Sequence, residues 1–94
     1  MGYRRNAVDA NQSDIVDELR KVGCTVSPLS QAGEGVPDLL VGRAGNNYLL
    51  EIKDGNKPPS AQKLTTKQRK WHKGWKGSAS IVNSVEKALK AVGL

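Results

Sequence analysis

Three residues have the types and spacing to perform hydrolytic chemistry together: Asp38, Glu51 and Lys53. Glu51 and Lys53 lie two apart in a predicted strand, so their side chains project from the same face of a sheet. Asp38 begins the preceding predicted strand, and pairing of the two strands brings it beside them. Two carboxylates in reach of one hard cation are typical of a Mg²⁺ or Mn²⁺ site. A lysine beside that ion could orient an attacking hydroxide or stabilise a pentavalent phosphate.

The same residues also have a structural interpretation. Asp38 and Lys53 could form a cross-strand ion pair, with Glu51 at the sheet edge. Charges placed among apolar residues are costly to bury unless they are paired or bind a metal. Spacing alone leaves both interpretations open.

A turn between two apolar runs predicts how these residues are positioned. The turn is Ala44-Gly45-Asn46-Asn47, whose glycine and asparagines suit positive backbone φ angles. The apolar runs cover residues 36–43 and 48–53. They predict an antiparallel hairpin. If Arg43 faces Tyr48, position 40 lies opposite 51 and position 38 opposite 53.

The remaining elements follow from apolar periodicity and from capping residues. Helices are predicted over residues 11–22, from about 66 to 76 and over 85–92, and strands over 24–29 and 79–82. Thr65-Thr66-Lys67-Gln68 has the pattern of a capping box, and Ser84 is a typical N-cap. Residues 30–35 and 54–64 are predicted loops. The order αβββαβα indicates an α/β fold, a mixed sheet flanked by helices, in a single domain over residues 1–94 with 1–8 as a flexible arm.

The charge distribution suggests a polyanionic partner. The chain has 94 residues and a net charge of +6, and residues 57–76 contain seven lysines and arginines without an acidic residue. Nucleic acid is the usual partner of such a segment. A solvated, lysine-rich face is the alternative interpretation.

Several classes of protein are excluded by composition. No segment approaches the roughly 18 consecutive apolar residues of a membrane span, and no apolar run follows Met1 as in a signal peptide. Cys24 and His72 each stand alone in their type, which excludes a disulfide framework and a zinc cluster. We therefore expect a cytoplasmic protein, in a bacterial or phage-infected cell, with an oxygen-ligated metal, no membrane partner and no small-molecule cofactor.

The motif set resembles a known nuclease family. Gly35-Val36-Pro37-Asp38, followed after twelve residues by Glu51-Ile52-Lys53, resembles the signature of the PD-(D/E)XK nucleases, and specifically of their small VRR-NUC branch. The resemblance extends through Asn11-Gln12, Lys63-Leu64-Thr65 and Gln68-Arg69-Lys70-Trp71. It covers nearly the whole chain, as in the stand-alone VRR-NUC proteins of phages and prophages. A Glu-x-Lys motif alone is a weak signal, whereas the full set in this order is a strong one.

This resemblance implies a restriction-endonuclease-like core and a homodimeric, Mg²⁺- or Mn²⁺-dependent endonuclease that acts on branched DNA such as four-way junctions. By the family pattern, Asp38 and Glu51 would bind metal, and Ile52 would contribute its backbone carbonyl. Lys53 would be the catalytic lysine. Gln68 would lie close to the active site as a further catalytic residue, besides its role in the capping box.

One position departs from the family pattern. Gln12 stands where many archaeal junction resolvases have a metal-linked glutamate. A glutamine can ligate a metal through its carbonyl oxygen but supplies less charge. Asp9, Asp14 and Glu18 are the nearby acids that could replace it.

The basic segment is expected to contact phosphates without reading sequence, which favours recognition of DNA shape. The contact residues predicted are Lys57, Lys63, Lys67, Arg69, Lys70 and Lys73. His72 is predicted to be a surface or packing residue. Trp71 and Trp75, four apart on one helical face, favour core or dimer packing over base stacking. Two other functions remain open: a non-catalytic nucleic-acid-binding module, and a nicking or flap nuclease without junction preference.

Overall fold

The computed structural model describes residues 9–94 of the chain, and the predicted N-terminal arm, residues 1–8, lies outside them. The elements are α1 (Gln12–Lys21), β1 (Thr25–Pro28), β2 (Leu39–Arg43), β3 (Asn46–Ile52), α2 (Thr66–Gly74), β4 (Ser80–Val82) and α3 (Val85–Ala91). A 3₁₀ helix, Pro59–Gln62, lies in the segment predicted as a loop. The predicted order αβββαβα and the α/β fold class are confirmed. Within residues 9–94 no helix is long and apolar enough to cross a membrane.

The four strands form one mixed sheet in the order β1-β2-β3-β4. Strands β1, β2 and β3 are antiparallel to one another, and β4 joins β3 in parallel through the connection that contains α2. Strand β3 therefore lies in the interior of the sheet, between two partners. Glu51 therefore does not lie at the sheet edge, where the ion-pair interpretation placed it.

The predicted hairpin register is wrong by two residues. Arg43 pairs with Asn46, not with Tyr48, because the turn consists of Ala44 and Gly45 alone. Both turn residues have positive φ, 51° and 81°, as the tight type I′ hairpin turn requires. A shift of two residues keeps every side chain on its predicted face, since the strand period is two. Asp38 consequently still shares a face with Glu51 and Lys53.

The hydrophobic core lies on one face of the sheet, against α1 and α3. Its fully buried members are led by Ile15, Leu19, Leu39, Val41, Leu50, Ile52, Ala88 and Val92. Val22, the last residue of the first predicted helix, is 47% exposed because it follows the last turn of α1. Alternation along β3 turns Glu51 away from this core, toward the opposite face.

Helix α2 lies against part of that opposite face, at Glu51, and local interactions fix where the helix begins. The Thr65 hydroxyl accepts a hydrogen bond from the Gln68 amide at 3.2 Å, and the Gln68 side chain accepts one from the Thr65 amide at 2.9 Å. This is the predicted capping box. Gly35 (φ 79°) lies directly against the first turn of α2, where an added Cβ would collide with the Lys67 carbonyl group. The loop that leads to Asp38 and the helix that carries Gln68 are thus packed backbone to backbone.

Candidate active site

Asp38 and Glu51 lie side by side where β2 begins and β3 ends. The Asp38 Oδ2 atom accepts a hydrogen bond from the Ile52 amide at 2.7 Å, which fixes the carboxylate against β3. Glu51 is only 1% exposed. Burial raises the pKa of Glu51 to about 9, and a hydrogen bond with Asp38 and its negative charge act in the same direction, whereas the charge of Lys53 lowers it. Burial and the charge of Asp38 therefore favour the protonated form of Glu51, and a cation bound beside it would favour the ionised form.

The Lys53 side chain is held by a hydrogen bond to the side-chain amide of Gln68. Lys53 makes no ion pair with Asp38 in the described part of the chain. Its Nζ atom donates to the Gln68 Oε1 atom at 2.7 Å. The Gln68 Nε2 atom in turn donates to Glu51 Oε2 at 3.0 Å. Gln68 thus links the lysine to the glutamate, and the cross-strand Asp38–Lys53 pair offered as a structural interpretation is not formed. The predicted proximity of Gln68 to the site is borne out by these contacts.

His72 lies beside Glu51 and is not a surface residue, whereas its contact with Trp71 agrees with the predicted packing role. It follows Gln68 by one helical turn, and its Nε2 atom is 3.5 Å from Glu51 Oε1. Burial lowers the pKa of His72, and the charge of Lys53 lowers it further. The sequence signal that could have found it was the i, i+4 spacing from Gln68, which places both side chains on one face of the helix.

The first helix contributes Gln12 and its neighbours to the edge of the site. The Asn11 side chain donates to the Lys53 carbonyl oxygen at 3.1 Å, which ties the start of α1 to the end of β3. Gln12 is 7% exposed, and its Oε1 atom has no hydrogen-bond partner among residues 9–94. Burial raises the pKa of Asp9, while the charges of Lys53 and Lys57 lower it and that of Asp38 raises it. Asp9 is therefore close enough to Asp38 and Lys53 for their charges to shift its pKa.

The two other acids considered in place of Gln12 lie elsewhere. Asp14 is exposed, and Glu18 pairs with Lys21 at 3.0 Å on the solvent side of α1. No group of three His, Cys, Asp or Glu side chains within residues 9–94 is arranged to hold a metal. A cation at this site would therefore need amide or backbone oxygens besides the carboxylates of Asp38 and Glu51.

The basic residues form a surface beside the site. All six predicted phosphate contacts are exposed: Lys57, Lys63, Lys67, Arg69, Lys70 and Lys73. Four of them lie on α2, the helix that carries Gln68 and His72. None is paired with an acid within residues 9–94. The positive charge is thus free to attract an anion to the face of the sheet where Glu51 lies.

The tryptophans are not part of the core. Trp71 and Trp75 stack on each other with ring centroids 4.7 Å apart, and Trp75 is 46% exposed. Trp75 lines a groove of about 370 Å³ together with Leu40 and Leu49. Core packing, one of the predicted roles, therefore does not describe Trp75.

The fold has a match among solved structures. One described as "VRR_NUC domain" matches over 86% of this chain and 88% of its own, with a TM-score of 0.62 and 25% sequence identity. The chain has the fold of a VRR-NUC domain. The match indicates a nuclease-type domain. The sequence itself matches no protein-family model and no curated protein.

The VRR-NUC resemblance seen in the motifs is therefore confirmed by the fold. Motif residues far apart in the chain meet at one place: Asp38, Glu51 and Lys53 with Gln68 from α2. The structure adds His72 to this candidate site and brings Asp9 near it.

Proposed function

We propose that the protein is a metal-dependent, structure-selective DNA endonuclease that hydrolyses phosphodiester bonds in branched DNA such as four-way junctions. The observation that carries this proposal is the chain of contacts from Lys53 through Gln68 to Glu51, with Asp38 fixed beside it. A buried lysine, a buried glutamate and a half-buried aspartate are expensive to maintain for stability alone. Their convergence on a nuclease-type fold supports catalysis.

Oxygen donors at the site fit a hard divalent cation. Gln12 Oε1 is buried without a hydrogen-bond partner among residues 9–94, and each carboxylate oxygen of Glu51 has a lone pair beyond the one that faces α2. We assign Mg²⁺ or Mn²⁺ to Asp38, Glu51, the Ile52 carbonyl and Gln12, since such ions accept carboxylate, amide and backbone oxygens. A bound cation of this kind neutralises charge that develops on the phosphodiester and makes a water molecule more acidic.

The residues of the chain would perform the remaining steps. The Lys53 ammonium, held by Gln68 Oε1, is positioned to donate to the attacking water or to a phosphate oxygen as negative charge develops. Gln68 keeps the lysine and Glu51 in fixed relation, so less reorganisation is needed when substrate binds. Asp38 keeps its orientation through the Ile52 amide.

The DNA would approach along α2. Its exposed lysines and arginine contact phosphates, which gives affinity without sequence preference. Cutting a four-way junction symmetrically requires two active sites related by a twofold axis. We therefore propose that two copies of the chain act together, as cyclic dimers are the commonest oligomers.

Two alternatives give different results in one assay. A DNA-binding module on a nuclease scaffold is favoured by Gln12, which stands where an acid would strengthen metal binding. A nicking or flap nuclease would share the same site but not prefer junctions. The contacts of Lys53 and Glu51 support catalysis over the first alternative, since a pure binder gains nothing from a buried charged cluster.

The deciding experiment is cleavage of labelled four-way junction, flap, single-stranded and linear duplex DNA with Mg²⁺, Mn²⁺ or EDTA. Wild type is compared with Asp38→Ala and Lys53→Ala. Lys90→Ala, at an exposed position on α3, is the matched control for the loss of a lysine.

Symmetric nicking of the junction by wild type and Lys90→Ala, with metal, is the expected result. The Asp38 and Lys53 variants should bind DNA and cut at least about a hundredfold more slowly. Equal cleavage of flap and junction would favour the general nicking enzyme. Binding without cleavage of any substrate in either metal would overturn the proposal in favour of a binding module.

A further inference from the structure

The two carboxylate oxygens of Glu51 face two different residues of α2. Oε2 accepts a hydrogen bond from Gln68 Nε2 at 3.0 Å, and Oε1 lies 3.5 Å from His72 Nε2. Gln68 and His72 are four residues apart, so they project from the same face of α2, one turn apart. One helix face therefore addresses both oxygens of the same acid.

The approach of His72 to Glu51 is unlike an incidental surface contact. The His72 side chain is 15% exposed and that of Glu51 is 1% exposed. Within the part of the chain that the structure describes, neither His72 Nε2 nor Glu51 Oε1 has a hydrogen-bond partner. Buried polar atoms without partners are rare. Here a possible donor, His72 Nε2, faces an acceptor, Glu51 Oε1.

The imidazole ring also contacts an aromatic neighbour. Trp71 meets the His72 ring edge to face, with centroids 5.2 Å apart and an interplanar angle of 80°. Trp71 also stacks on Trp75. Packing of this kind restricts the rotation of the imidazole and keeps Nε2 directed at Glu51.

We infer that His72 is a positioning residue of the site, donating from Nε2–H to Glu51 Oε1 and so fixing the plane of the carboxylate together with Gln68. The hydrogen bond forms by a small closing movement from 3.5 Å to ordinary bonding distance. Both the neutral Nε2–H form and the imidazolium donate from this atom, so the role does not depend on the charge of His72. The inference deepens the proposed nuclease function and rests on it for its catalytic consequence.

Two variants separate the donor from the bulk of the side chain. His72→Leu fills the space without a donor, whereas His72→Gln can place an amide N–H where Nε2 lies. We expect His72→Leu to lower kcat for DNA cleavage about ten- to hundredfold, with little change in KM for DNA, because outer positioning groups have effects of this size. His72→Gln should restore most of kcat. Thermal unfolding of each variant shows whether it is folded.

A second measurement does not depend on activity. Long-range ¹H–¹⁵N correlation of the imidazole of the wild-type protein identifies which nitrogen carries the proton. We expect the proton on Nε2. A spectrum with a bare Nε2 overturns the inference.

The activity data can also overturn it. Unchanged kcat in a folded His72→Leu protein, or equal losses in the Leu and Gln variants, would show that only packing matters at this position. If wild type cuts no DNA at all, the proposed function fails, and the imidazole spectrum still tests whether Nε2 carries the proton that the inference requires.

Discussion

Gln68 Oε1 accepts two hydrogen bonds at once, from Lys53 Nζ at 2.7 Å and from the Thr65 amide at 2.9 Å. The first contact belongs to the site, and the second is half of the capping box that begins α2. One oxygen atom therefore couples the start of a helix to the position of the lysine on β3. The capping geometry orients the amide so that its Nε2 reaches Glu51.

The first prediction separates the capping role of Gln68 from its role in the site. Thr65→Ala removes the hydroxyl that caps α2 but leaves the Lys53–Gln68–Glu51 contacts in place. It should cost about 1 kcal/mol of stability and keep cleavage close to wild type. Gln68→Ala should cost a similar stability and also lower kcat at least about tenfold, because Lys53 and Glu51 lose their shared partner. Urea unfolding and single-turnover cleavage measure the two effects. Equal activity of the two variants would show that Gln68 acts only as a cap.

The second prediction concerns the contact between Gly35 and α2. Gly35→Ala introduces a Cβ against the Lys67 carbonyl and also a side chain at φ 79°. Gly33→Ala is the matched control, because Gly33 has φ 69° but open space around its Cβ position. We expect Gly33→Ala to lower the free energy of unfolding by about 1 kcal/mol, the cost of placing a side chain at positive φ. Gly35→Ala should lower both stability and activity further. The added methyl group pushes α2 outward, and the helix carries Gln68 and His72 away from Glu51.

Similar stability and activity in the two glycine variants would contradict this account. It would mean that the loop yields to the added methyl group without displacing the helix. Thermal unfolding measures the stability of both variants, and single-turnover cleavage measures their activity.

Much of the fold could be predicted because its signals are local. Apolar periodicity defined the helices, and the Thr65–Gln68 pattern located the start of α2 within the chain. The face shared by Asp38, Glu51 and Lys53 also followed from the strand period. It survived the error in register, because the hairpin differs from the prediction by two residues and not by one.

The hairpin turn and the places of His72 and Trp75 depend on how the elements pack, which sequence spacing does not specify. The four-residue turn predicted for the hairpin closes with two, because Ala44 adopts positive φ, which is uncommon for alanine. The sequence around His72 predicts only a surface or packing residue, because nothing in it indicates that α2 lies across β3 at Glu51. Trp75 has the spacing of a core residue, but it follows the last residue of α2 as its C-cap, and its side chain is 46% exposed.

The third prediction is a pH dependence of stability that originates at Glu51. Its pKa is raised in the folded state to about 9, so the folded protein binds this proton more tightly than the unfolded chain. The resulting stabilisation is complete below the ordinary pKa of 4.5 and is lost as pH rises through about 9. His72, whose pKa is lowered, acts oppositely, but only as pH falls through 6.5 and below.

The window between about pH 7 and 9 therefore isolates Glu51. In EDTA, the unfolding free energy of wild type should fall across it by up to about 1.36 kcal/mol per pH unit. Glu51→Gln, which keeps the shape without a titrating group, should show a clearly flatter profile and resemble wild type most closely near pH 5. Urea unfolding at successive pH values measures both. Parallel profiles between pH 7 and 9 would show that Glu51 does not hold its proton in the folded protein.

The fourth prediction tests whether α2 is the DNA-binding surface. Each lysine that neutralises a phosphate releases condensed counterions, so the slope of log K against log salt changes by about 0.9 per contact on duplex DNA. Lys70→Ala, on α2, should weaken binding and reduce the steepness of the salt dependence by about that amount, on any sequence. Lys90→Ala removes an equally exposed lysine from α3, on the core side of the sheet, and should leave the slope as in wild type. Fluorescence anisotropy at several salt concentrations measures these slopes. Equal changes in both variants would mean that net charge alone attracts DNA, and that α2 is not the contact surface.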